Sequence, residues 1–188
     1  MKSKIFFLSL LAMGVMACGE TPNEPEKQPE KLSHEELTAR IKDYAQYLSD
    51  NYEKGDTVCF LTEAGKKTVL IVSASTLTCG PVTSLVDDED PITEYVYRTY
   101  MGLASTDGLM QGPTFKGSIS LDEYGAVQKD WWSTCKKDIA SDAPRLEAPQ
   151  PAEDELLLTG ERGWCLLKRN VGIVQVADTA GRTWTLIQ

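Results

Sequence analysis

The sequence predicts an α+β domain, an N-terminal amphipathic helix packed on a mainly antiparallel β-sheet. A small β-barrel or sandwich is the alternative arrangement of the same strands. Three observations carry this expectation. Residues 33–52 repeat apolar side chains at helical spacing. The rest of the domain breaks into short runs rich in Val, Ile, Leu, Thr and aromatic residues, which suit strands. Short Gly-containing turns separate several of those runs, so neighbouring strands are expected to pair as antiparallel hairpins.

Each element follows in order. In "LSHEELTARIKDYAQYLSDNY", Ser33 and Glu36 fit a capping box, in which each side chain bonds a free backbone N–H of the first turn. Leu37, Ile41, Tyr44, Ala45 and Leu48 then share one face, which predicts a helix over 34–52 that ends near Gly55. Two apolar runs flank "TEAGKK", and Gly65 accepts the positive φ that a tight turn needs, so this reads as a hairpin. Val58 and Phe60 oppose Cys59 and Leu61; Val69 and Ile71 oppose Leu70 and Val72. Both faces are apolar, which predicts central strands covered on both sides, one of them by the helix. "PVTSLVDDEDP" reads as a loop and "ITEYVYRTYMGLAST" as a strand. "FKGSISLDEYGAVQKDWW" reads as a second hairpin, turning at Glu123-Tyr124-Gly125. "SDAPRLEAPQPAEDE", with Pro144, Pro149 and Pro151, reads as a loop. The closing "GWCLLKRNVGIVQVADTAGRTWTLIQ" contains two strands joined at "DTAGRT", preceded by a third. The sum is one helix and about seven to nine short strands. "VCFLTEAGKKTVLI" and "VQVADTAGRTWTLI" align with Gly65 on Gly181, which shared hairpin grammar explains better than duplication.

Ahead of the domain stands "MKSKIFFLSLLAMGVMAC". Lys2 and Lys4 precede an apolar core from Ile5 to Met16, shorter than the about 20 residues a spanning helix needs. This is the pattern of a secretory signal peptide. Val15-Met16-Ala17-Cys18 resembles the lipobox of bacterial lipoproteins: an aliphatic residue, a tolerant position, a small residue, then cysteine. The resemblance implies that the Cys18 thiol is diacylated, the bond before it cut and the new amine acylated. Two or more fatty chains hold a protein stably to a bilayer without crossing it. Gly19 after the cysteine, rather than Asp, implies by the same likeness an outer-membrane location. The stretch "GETPNEPEKQPEKL" is too polar and Pro-rich to fold and reaches at most roughly 40 Å. The chain therefore divides into a signal peptide (1–17), a lipidated cysteine and tether (18–32) and a single globular domain (33–188).

The full chain carries a net charge of −9; removing residues 1–17 takes away Lys2 and Lys4 and no acid, leaving −11. An acidic surface argues against nucleic acid, whose phosphates require Lys/Arg clusters. Beyond Cys18 remain Cys59, Cys79, Cys135 and Cys165, an even count that in an exported chain predicts two disulfides. Of the three pairings, Cys59–Cys79 and Cys135–Cys165 join the nearest in sequence. With no Cys-x-x-Cys and His34 the single histidine, no metal site and no cofactor is expected.

The same histidine count bears on catalysis. A Ser-His-Asp or Cys-His system needs a histidine beside its nucleophile, whereas His34 opens the helix next to the tether. Phosphate-binding and dinucleotide-binding glycine loops are absent from the sequence. Asp87 to Asp90, "DDED", reads as a solvated loop without calcium-loop spacing, with Asp122 or Glu123 as candidate partners for a carboxylate pair. The aromatics are the stronger lead. Trp131 and Trp132 point to opposite faces of a strand, so one ring is expected outside. With Tyr95 and Tyr97 they form the candidate ligand-binding set, while Trp164 and Trp184 belong to the core. The expected function is a cell-envelope lipoprotein acting as a binding or accessory module for a glycan or protein partner, with binding favoured over catalysis. The alternatives are a carboxylate-based glycan hydrolase and a disulfide-stapled inhibitor or immunity-type protein presenting "APRLEAPQPAE".

Overall fold

A computed structural model describes residues 30–84, 92–105, 113–134, 146–161, 163–178 and 180–187. The capping box forms at the first element, helix α1 (His34–Ala45). The Glu36 N–H donates to Ser33 Oγ at 3.2 Å, and the Ser33 N–H donates to the Glu36 carboxylate at 2.9 Å. The helix is shorter than the expected 34–52. The chain leaves it after Ala45, where the Asn51 side-chain amide donates to the Gln46 carbonyl, and Ser49–Asn51 form one 3-10 turn. Leu48 is thereby turned fully inward.

Nine strands follow: β1 (Thr57–Thr62), β2 (Lys67–Ser84), β3 (Ile92–Ser105), β4 (Thr114–Leu121), β5 (Val127–Thr134), β6 (Glu155–Thr159), β7 (Trp164–Lys168), β8 (Gly172–Ala177) and β9 (Thr183–Leu186). Every pairing is antiparallel, in the order β5-β4-β3-β2-β1-β9-β8-β7-β6. Two points depart from the expected boundaries. Strand β2 continues through Pro81 to Ser84, part of the expected loop, and β6 occupies "ELLLT", which no sequence pattern had singled out.

Three hairpins share one turn. At Thr62–Lys66, Asp122–Ala126 and Asp178–Arg182 the first residue's N–H donates to the fifth residue's carbonyl. The glycine N–H returns to the first carbonyl, and the first side chain accepts from the fifth N–H. Gly65, Gly125 and Gly181 sit at φ 75°, 79° and 72°, where residues with a Cβ are disfavoured. The internal echo in the sequence is this turn.

The expected α+β arrangement, a helix layered on an open sheet, is corrected; the barrel alternative fits. Phe115 on β4 lies four strands from Trp184 on β9 in the sheet order, yet their ring centroids are 5.8 Å apart. Phe115 also meets Phe60 at 6.3 Å and Trp131 at 5.7 Å. Such contacts require the sheet to curl until its inner face packs on itself. The seam between β5 and β6 nearly closes: a Cβ on Gly160 would collide with the Trp131 carbonyl oxygen. The sheet thus covers its own inner face, and α1 is left to stopper one end. Leu37, Ile41 and Ala45 point inward. The N–H of Leu32 donates to the Glu123 carbonyl on the β4–β5 turn, and the N–H of Asn170 on the β7–β8 turn donates to Gln46. Nor are β1 and β2 covered on both sides, since Leu61 and Ile71 are exposed on the barrel's outer wall.

Among the described residues the expected Cys59–Cys79 disulfide is not formed, and Cys59, Cys79 and Cys165 are free thiols. Cys59 opposes Val69, ten residues along β2 from Cys79. At about 3.3 Å per residue that is some 30 Å, against the roughly 4.4–6.8 Å between Cα atoms that a disulfide spans. Cys165 is buried in the core, and Cys135 lies outside the described residues.

Candidate binding surface

Cross-strand register assembles the candidate surface. Directly opposed residues of a sheet share a face, so each row across β5, β4, β3 and β2 can be read off the pairing. The first row is Trp132–Lys116–Gly102–Ala74, the second Asp130–Ser118–Tyr100–Thr76, the third Gln128–Ser120–Arg98–Thr78. All lie on the outer wall of the barrel. Trp132 is 49% exposed, and the Lys116 ammonium sits 4.7 Å from its ring centroid, a cation–π contact that props the indole. Next to Lys116 the row drops to Gly102. Any Cβ there would meet Ser73 Oγ at 2.9 Å and the Tyr100 hydroxyl at 3.1 Å, so the Tyr100 ring leans over the bare glycine backbone. Burial pushes the Tyr100 phenol above its ordinary pKa, against the opposing effect of Arg98. The result is a wall with an aromatic ring at either side of Lys116, about 10 Å apart across two strand spacings. Hydroxyl, amide, carboxylate and guanidinium groups fill the rows below.

The structure divides the predicted aromatic set. Trp131 and Trp132 point to opposite faces as alternation requires, and Trp131 is the inner one, packed on Phe115 and Gly117. Its indole N–H has no hydrogen-bond partner among the described residues. Tyr95 and Tyr97 share the inner parity of β3 and stand at the α1 end, away from Trp132. There the structure gathers them around His34, whose Nδ1 lies 2.7 Å from the Tyr97 hydroxyl and whose ring centroid is 6.3 Å from that of Tyr95. Tyr97 is buried and burial raises its phenol pKa, while Tyr95 remains largely exposed. His34 is therefore exposed beside a cap, as expected, but tied to a core tyrosine. Trp164 and Trp184 are both buried, Trp164 in a cluster on the outer wall with Leu146, Leu157 and Leu166.

The other sequence candidates take structural places. Asp122 accepts from the Tyr124 and Ala126 N–H groups inside its turn, and Glu123 pairs with Lys31 at 2.6 Å. Asp87 to Asp90 lie outside the described residues. Of "APRLEAPQPAE", residues 143–145 also lie outside, and Leu146 packs down against Trp164 and Leu166 rather than projecting. Sequence reasoning named Trp132 but missed Lys116, Gly102 and Asp130 as its neighbours. The register that brings them together is a property of paired strands and leaves no local trace.

No protein family, no curated protein and no solved structure matches this chain.

Proposed function

We propose that this chain is a lipid-anchored, non-catalytic binding module of a bacterial cell envelope, and that the outer wall of β3–β5 takes a glycan. The exposed Trp132, held by Lys116 beside the glycine-floored Tyr100, carries the reading. Exposed aromatic rings offer apolar faces for sugar rings to stack on, and the surrounding Asp130, Ser118, Arg98 and Gln128 supply donors and acceptors for hydroxyl groups. The lipobox supports the anchor, and the tether supports presentation of the wall clear of the bilayer. A binding role also accords with the places of the polar groups a hydrolase would need. Asp178, the buried carboxylate among the described residues, is consumed by its turn, and His34 is bound to Tyr97.

The test is a screen of the full chain in detergent micelles against an array of envelope and dietary oligosaccharides. Trp132→Ala serves as the control variant. Binding should quench the exposed indole and fall at least tenfold in the variant. An array on which the two proteins give the same profile overturns the reading.

A further inference from the structure

We infer that the seam between β5 and β6 is a strand-acceptor groove, in which an extended peptide bearing an acidic side chain adds backbone hydrogen bonds to both edges. This goes beyond the glycan reading and does not depend on it. All pairings are antiparallel and the strands number nine, so the two edges that meet at the seam, β5 and β6, run parallel to each other. No backbone hydrogen bond joins them among the described residues. One added strand running the other way is antiparallel to both, and would bring the barrel to an even count.

At the upper end the seam is shut by Gly160 against the Trp131 carbonyl. At the α1 end it opens into a groove of about 470 Å³ between Val127, Leu156 and the helix. This lies within the usual range of ligand sites, roughly 300–1,000 Å³. The docked stretch is therefore short, about four residues, starting beside Val127 and Leu156, the strand residues that line the groove.

Tyr44, Tyr47, Val127 and Leu156 line the groove with apolar surface. The two charged residues of the lining differ. Asp43 is already held by Arg169, at 2.6 and 3.1 Å. Arg40 makes no ion pair among the described residues; the Glu36 carboxylate one helical turn back feels its charge but is hydrogen-bonded in the capping box. Gly125 lets the Arg40 guanidinium lie against the β4–β5 turn at the groove's lip. An arginine beside two unpaired strand edges fits a peptide with a carboxylate among apolar residues, since added strands take affinity from the main chain and specificity from side-chain pockets.

A displayed library of random ten-residue peptides, selected on the full chain in detergent, tests this, with Arg40→Glu for counter-selection and Arg40→Gln as the milder variant. Enriched peptides should contain Asp or Glu and bind Arg40→Glu at least tenfold more weakly. N-methylation of either alternate set of peptide amides should each cost at least tenfold, because one set faces β5 and the other β6. Trp132→Ala should leave peptide binding unchanged, which separates this site from the glycan wall. Three results overturn the inference: no enrichment over the Arg40→Glu control, indifference to both methylation patterns, or sensitivity to only one. The second would mean a side-chain pocket and the third docking on a single edge.

Discussion

Asp178 and Asp122 open the same turn in two hairpins, yet their surroundings differ. Asp178 is completely buried. Its Oδ1 accepts from the Ala180 and Arg182 N–H groups, and its Oδ2 from Arg182 Nε at 2.9 Å and the Trp184 indole at 3.1 Å. Asp122 bonds only turn amides and stays exposed. A buried donor left without an acceptor costs about 1–3 kcal/mol. Asp178→Ala strands the Trp184 indole and two turn amides, and is expected to destabilise the domain by about 2–4 kcal/mol. Asp122→Ala, whose freed amides can turn to water, should cost about 1 kcal/mol or less. Urea unfolding of the two variants checks the ratio; equal losses would mean that Trp184 does not depend on the carboxylate. The glycine turns themselves were legible in both hairpins. That one of them sits over a core tryptophan was not, because burial depends on what the curled sheet brings near.

Among the elements, the seam is where closure is decided. Gly160 touches the β5 backbone with no room for a side chain, whereas a Cβ on Gly65 would meet nothing within 4 Å. Overpacking of a tight contact costs about 1–3 kcal/mol. Gly160→Ala is therefore expected to lose about that much and to raise amide exchange across 155–159 ahead of the rest of the barrel. Uniform exchange across all nine strands would show that the seam is not the weak joint. Helix α1 shows the same division at its own scale. Its cap and its apolar stripe were both readable, since each rests on residues three or four apart. Its length and place were not. The helix stops where Leu48 must enter the barrel, and it closes an end rather than a face because the sheet needs no second layer.

For the whole molecule, one mass measurement bears on both anchor and thiols. Chain isolated from cells should carry fatty acyl mass on Cys18, as the lipobox resemblance implies. Alkylation of native protein should leave Cys165 unmodified until denaturant is added. Its thiol is buried, and burial pushes its pKa well above the ordinary value, so the reactive thiolate is scarce. Burial also raises the pKa of the Cys79 thiol, though less completely, since Cys79 is only partly buried. A native chain in which denaturant exposes no alkylatable cysteine would instead mean that the thiols are oxidised in pairs.

By itself the sequence determined the pieces: the capped helix, three glycine turns, and the alternation that sets Trp131 and Trp132 on opposite faces. Each is written within a few residues, because backbone geometry and side-chain periodicity act over that distance. Only the tertiary structure decided that the sheet closes, that Phe115 meets Trp184, that Lys116 and Tyr100 become neighbours of Trp132, and that Cys59 and Cys79 stand apart. Those outcomes rest on pairing register and on the number of strands around the barrel. Both join residues far apart in the chain, and a strand with two apolar faces looks the same whether its neighbour is a helix, a second sheet or the far wall of its own barrel.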